Sequence, residues 1–162
     1  ILIQGGAGGV ASFAIQLAKH CGAHVITTAS LSNHDFVRSL GADEVIDYNK
    51  QDFTEQVSDC DAVLETVGGE VAERSFSVLR PGGRAAFIAS GVTAPKAPSE
   101  QVLSLRPNVE RDRAHLNRIV DLVKAGIVSP PEITVFPLSN AVDAHVISEA
   151  RHLRGKMVLN VR

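Results

Sequence analysis

Residues 5–9 read Gly-Gly-Ala-Gly-Gly, four glycines directly after an apolar run and directly before a stretch with helical spacing. Glycine weakens strands and helices alike, so such a cluster belongs where backbone must turn tightly or be approached closely. Residues 6–11, Gly-Ala-Gly-Gly-Val-Ala, fit the pattern G-x-G-x-x-G/A. In that pattern the first glycine makes the turn and the second admits a pyrophosphate to the backbone. The last small residue lets helix and strand pack closely, and the helix N-terminus offers N–H donors and the positive end of its dipole. Gly6 is thus expected to make the turn and Gly8 to meet the phosphates. A tight turn without ligand is the alternative, and four glycines argue against it.

A dinucleotide site needs a second element about 20 residues further on, where an acid binds the adenosine ribose hydroxyls of NAD. No Asp or Glu occurs there before Asp35, which already falls in the next helical stretch. Ser30, Ser32, Asn33 and His34 occupy the turn instead. Their hydroxyl, amide and imidazole groups would tolerate a phosphorylated ribose, and nothing among them repels its charge. An ordinary polar loop would look the same. The pattern favours NADPH, with NADH as the lesser candidate.

Other chemistry is harder to find. The histidines at 20, 24, 34, 115, 145 and 152 and the cysteines at 21 and 60 show no metal-ligand spacing, so no metal site is expected. Cys21 falls on the apolar stripe of the first helix and reads as a buried free thiol. Tyr48 is followed by Asn49-Lys50 and has Asp52 four residues on, so a Tyr-x-x-x-Lys pair is absent. No Ser/His/acid arrangement is recognisable. Hydride transfer would not demand one, because the cofactor itself carries the reactive hydride.

The 162 residues suffice for one domain with a core, and 44% apolar with 21% charged residues is a globular composition. A net charge of −2 gives no broad basic surface for nucleic acid. No apolar run approaches membrane-spanning length and no signal segment is evident, so a soluble, cytoplasmic protein is expected. The chain begins on Ile-Leu-Ile with no polar lead-in, as though cut from a longer protein.

Strand and helix patterns alternate along it. Residues 1–4, 24–28, 44–46, 62–64 and 84–89 read as strands. Helices are expected through Val10–Cys21 spacing, through Phe36 to Leu40, briefly between Asp52 and Val57, and through Ala72, Phe76 and Leu79 up to Pro81-Gly82-Gly83. After a Pro- and Ser-rich stretch, residues 101–105 read as a sixth strand, and Leu116, Ile119, Val120 and Val123 mark a helix ending at Gly126. Residues 133–136 and 157–161 are strand-like, flanking a helix through Val142 and Val146 with Ser139 as its N-cap. Strands joined by helices of this length imply right-handed crossovers: an α/β, doubly wound, mostly parallel Rossmann sheet with helices on both faces.

"GGAGGVASFAIQLAK", "LGADEVIDY", "VLETVGGE", "LRPGGR" and "LRGKMVLNVR", in that order, resemble the cofactor half of the medium-chain dehydrogenase/reductase superfamily, in its NADPH-dependent quinone oxidoreductase-like branch. The resemblance runs from residue 1 to 162. It implies pyrophosphate contacts at Gly8, Gly9 and Val10, and 2′-phosphate contacts at Ser30 and its neighbours. It also implies that Thr66, Val67, Gly68, Ala89 and Ser90 face the cofactor from the loops after strands four and five. The family commonly places Lys or Arg in the turn after strand two, where this chain has Leu31-Ser32-Asn33-His34. The GroES-like catalytic domain that precedes the Rossmann half in the family is absent here, and with it most of the substrate pocket and of the family's zinc ligands. The quinone oxidoreductase branch generally lacks zinc, and none is expected.

The resemblance implies an enzyme that, at full length, passes hydride to a small-molecule quinone or α,β-unsaturated carbonyl, with the isolated chain inactive. It also implies a homodimer paired through the sheet edge at residues 101–105. Two rivals share features. A class I methyltransferase has a similar glycine turn, but usually carries acids where this chain has Gln4 and Ser30. A non-catalytic protein that only holds NADPH would look the same in sequence.

Overall fold

The computed structural model describes residues 1–89, 91, 93–150 and 154–162. Its frame is a six-stranded sheet of β1 (Leu2–Ile3), β2 (Ile26–Ala29), β3 (Glu44–Asp47), β4 (Cys60–Glu65), β5 (Leu79–Phe87) and β6 (Leu103–Leu105). The strands lie in the order β3-β2-β1-β4-β5-β6 and all neighbours are parallel. The chain winds outward from β1 to one edge, returns, and then winds from β4 to the other. This is the Rossmann arrangement, and the sheet reverses its winding between β1 and β4.

Alternation of side chains along β1 makes the sheet two-sided. Leu2 enters a core with Val63, Phe76, Ala85 and Phe87, covered by α3 (Phe53–Gln56) and α4 (Glu70–Arg74). Ile3 enters the opposite core with Ala11, Ile15, Val25 and Val37, covered by α1 (Ala11–His20) and α2 (His34–Ser39). Two residues suffice for β1 because strands flank it on both sides, Leu2 pairing with Ile26 and Val63 together.

Gly6 permits the closest approach between α1 and the sheet. The Thr27 side chain and Ile15 Cδ1 fill the space that a Cβ on Gly6 would take. Thr27 cannot easily yield, since it is fully buried and its hydroxyl donates to the Ile3 carbonyl at 2.6 Å.

Three local expectations need correction. The helix through Leu79 ends earlier: α4 passes into a 3-10 turn at Ser75–Val78, and Leu79 already belongs to β5, paired with Cys60. The register then jumps to Ala62 opposite Arg84, so residues 80–83 bulge out of the ladder instead of stopping a helix. Cys21 lies beyond the last turn of α1 and is exposed; Cys60 is the buried thiol, and burial raises its pKa. Ser139 does not cap the last helix. It sits in a 3-10 turn and donates to Asn140 Oδ1, and Asn140 is the N-cap residue.

The remaining elements are α5 (Arg113–Lys124), β7 (Ile133–Pro137), α6 (Ala141–Glu149) and β8 (Lys156–Asn160). β7 and β8 pair in parallel as a separate two-stranded sheet. No described helix is long and apolar enough to cross a membrane.

The Gly6 contact yields a test of the packing. Gly6→Ala must displace Thr27 from its bond to β1, and should lower the unfolding free energy by roughly 1–3 kcal/mol. Urea unfolding followed by circular dichroism measures this; an unchanged midpoint would show that the helix has room to withdraw.

Candidate functional site

A cavity of about 1030 Å³ opens at the carboxyl ends of the strands, where the winding reverses. Its floor is the glycine turn. Gly5 carries the positive φ (+68°), so it, and not Gly6, makes the bend out of β1. The Gly5 N–H donates to Thr28 Oγ1 at 2.9 Å, and the Gly6 N–H to the Thr28 carbonyl at 2.9 Å. Gly8 closes the turn by donating to the Gly5 carbonyl at 2.8 Å, and the Ser12 N–H takes the Gly8 carbonyl as α1 begins. No side chain caps this helix and no acid stands in its first turn. Its N-terminal dipole is therefore left to whatever occupies the turn.

Across the reversal point, Thr66 Oγ1 donates to the Gln4 carbonyl at 2.8 Å and ties the end of β4 to the end of β1. The loop beyond is shaped by Glu65, which is fully buried. Its Oε1 accepts from the N–H groups of Val67 and Gly68, while Oε2 is buried with no hydrogen-bond partner. Gly68 (φ +86°) lies against the Ala89 carbonyl and Cβ, so the loops after β4 and β5 meet there.

The third wall comes from the ends of β2 and β3. Asn33 Nδ2 donates to Ser30 Oγ at 3.0 Å, and Ser30 and Ser32 share a hydroxyl contact at 3.2 Å. Asp35 points to solvent and pairs with Arg38. Tyr48, Asn49, Lys50 and Gln51, from the turn after β3, line the cavity together with Ser30 and Asn33. Asp52 and Arg74 complete the rim as a pair. Asp52 also accepts from the Thr54 N–H and hydroxyl, and these bonds with the Arg74 guanidinium hold its carboxyl at about 2.

Of the residues expected from sequence, Gly8, Ser30, Asn33, Thr66, Val67 and Ala89 line this cavity. Gly6, Gly9, Val10, Ser32, His34 and Gly68 do not. Gly6 serves helix packing, Gly68 serves the contact between loops, and His34 Nε2 is buried without a partner. Val10 is half exposed at the start of α1. Ser90 lies outside the described residues.

Lys156 was not expected from sequence. It comes from the first position of β8, and its ammonium end occupies the space that a Cβ on Gly9 would take. Gly9 thus makes room for a cation against the turn. No local pattern could have found a residue so distant in sequence. The structure also gathers Glu110, Asp112 and His115 within 4.8 Å of one another, a grouping the spacing did not reveal. All three are exposed and none lines the cavity.

An uncapped helix end beside a glycine turn, with a lysine ammonium against it, is an arrangement that suits an anionic group. Residues 40–159 match the family model described as zinc-binding dehydrogenase. The chain is 34% identical to the NADPH-dependent alkenal/one oxidoreductase of the Arabidopsis thaliana chloroplast, over 98% of this chain and 40% of that protein. It is similar to the quinone oxidoreductase structure from Coxiella burnetii, with a TM-score of 0.91 and 38% identity over 99% of this chain and 52% of that one. The Escherichia coli quinone oxidoreductase complexed with NADPH gives 0.84 and 25%, over 99% of this chain and 56% of that one. The chain thus spans about half the length of these relatives. On the match of its own residues, the chain belongs to the zinc-binding dehydrogenase family, as the quinone oxidoreductase-like, Rossmann half of a medium-chain dehydrogenase/reductase.

Proposed function

We propose that this chain is the cofactor-binding half of an NADPH-dependent oxidoreductase that transfers hydride to a quinone or an α,β-unsaturated carbonyl. The observation that carries the proposal is the cavity at the β1/β4 reversal, floored by the glycine turn and open to an uncapped helix. The nicotinamide cofactor, when bound, supplies the hydride from its C4 position. The chain's own residues hold and orient it. The uncapped start of α1, beside Gly8, receives the pyrophosphate, with the Lys156 ammonium beside Gly9 to offset its charge. Tyr48 presents a half-exposed ring to a base, and Ser30 and Asn33 offer polar groups to a ribose phosphate. Thr66, Val67 and Ala89 face the end from which hydride leaves.

The wall opposite that end is not formed by these residues. The C-terminal elements instead present an apolar surface: Leu116 and Ile119 on α5, Val135 on β7, Val142 and Val146 on α6 are all exposed. No described residue of α5 is buried, although its apolar side chains fall on one stripe. A surface of this kind supports a second half of the protein that covers it and supplies the substrate-facing wall. The edge strand β6 exposes Leu103 and Leu105, which supports pairing of two copies through that edge.

Three outcomes follow. NADPH should bind more tightly than NADH in a fluorescence titration, because no carboxylate faces the 2′-phosphate; Ser30→Asp should reverse the order, and tighter NADH binding by the unsubstituted chain would defeat the cofactor assignment. Light scattering at micromolar concentration should give the mass of a dimer, and Leu103→Pro should return it to monomer. The decisive experiment compares NADPH oxidation with a quinone and an enone by this chain and by a version extended upstream. Only the extended form should turn over, since holding the substrate at reacting distance is worth roughly 7–11 kcal/mol of barrier. Equal rates would refute the two-half mechanism, and binding without turnover in both forms would leave a protein that only holds the cofactor.

A further inference from the structure

We propose that Lys50 selects NADPH over NADH, supplying from the turn after β3 the cation that the turn after β2 lacks. The inference rests on the assignment of the cavity to a nicotinamide dinucleotide.

The parallel register carries the geometry. Ala29 is paired with Asp47 at the last rung of the β2–β3 ladder, so residue 30 and residue 48 leave the sheet side by side. Neighbouring strands are about 4.8 Å apart. A lysine two residues further on carries its ammonium on a flexible four-carbon stem. Lys50 duly lines the same cavity as Ser30 and Asn33.

Its backbone is fixed. The N–H groups of Lys50 and Gln51 both donate to the Asp47 carbonyl at 2.9 Å. The Asp47 carboxylate, buried beneath, accepts from the Asn49 N–H and side-chain amide, which directs it into the turn. The Lys50 ammonium is not committed. No carboxylate among the described residues lies within ion-pair distance of it, whereas the other cations nearby are engaged: Arg74 with Asp52 and Arg38 with Asp35. Asp52, the one acid on the cavity wall, is spoken for by Arg74 and Thr54. Lys156 serves a different part of the ligand, since it lies against Gly9. A free ammonium in the same cavity as the Ser30 hydroxyl and the Asn33 amide, with no carboxylate paired to it, matches a phosphate monoester on the adenosine ribose and has nothing to recognise on an unphosphorylated one.

The test is calorimetric titration of the whole chain with NADP+ and with NAD+. Lys50→Gln should weaken NADP+ by roughly 3- to 10-fold, the range of a single exposed charged contact, and leave NAD+ unchanged. Lys50→Arg should retain the preference, and raising the salt concentration should shrink the NADP+ advantage of the unsubstituted chain more than that of Lys50→Gln. If Lys50→Gln leaves the ratio of affinities unchanged, or weakens both ligands equally, Lys50 is not the selector. If the unsubstituted chain binds neither dinucleotide, the cavity assignment itself fails and this inference falls with it.

Discussion

The Thr28 hydroxyl, almost completely buried, accepts the Gly5 N–H and donates to Gln4 Oε1, while the Thr28 carbonyl receives the Gly6 N–H. Through these bonds the glycine turn is suspended from β2 and not merely from the strand that precedes it or the helix that follows. The turn's height above the sheet, the direction of its remaining N–H groups and the angle at which α1 leaves are all set from the neighbouring strand. Gln4 extends the connection, its carbonyl receiving the Thr66 hydroxyl from the end of β4. Three strand ends therefore converge on the tripeptide Gln4-Gly5-Gly6. The cavity opens beside this hydrogen-bonded junction, with Gln4, Gly5, Thr28 and Thr66 all in its lining.

The elements themselves could be read from residue types, since the helical spacing in α1 and α5, the β-branched residues of β2 and β3 and the short apolar run in β4 are local signals. What escaped was the division of labour within the motif. Gly5 and Gly6 look interchangeable in sequence, yet one holds a positive φ and the other meets Thr27 across the interface. The difference lies in the partner strand. Lys156 and the turn at residues 48–50 escaped for the same reason, because their place at the site depends on register and on a chain reversal far along the sequence. Cys21 was misplaced by a single position: the periodicity ran one residue past the end of α1, where the chain turns at Gly22 and the side chain faces solvent.

The two ends of the molecule differ in how completely they satisfy themselves. In the main sheet β1 is fully buried and Phe76 stacks on Phe87 with ring centres 5.1 Å apart. The β7–β8 ribbon, α5 and α6 are held by fewer and more polar contacts, including Arg154 with Glu132 and over the Phe36 ring, and the Ser129 N–H with Gln16 Oε1. These contacts draw the C-terminal segment across α1 and α2, which is how Lys156 comes to rest against the glycine turn. The same segment thus contributes a charge to the cavity and an apolar face to the outside.

The strand order also bears on synthesis. Among the described strands β1 comes first in the sequence, yet it is an inner strand, one edge filled by residues 26–27 and the other by residues 63–64. On the ribosome, β1 can join β2 and β3 once residue 47 has emerged, and its second edge then waits until β4 follows. An open, apolar strand edge is an invitation to pair with another nascent chain. Four acidic residues, Asp52, Glu55, Asp59 and Asp61, fall between positions 48 and 61, the stretch that emerges during this interval. Charged residues that flank apolar strands oppose strand pairing between chains.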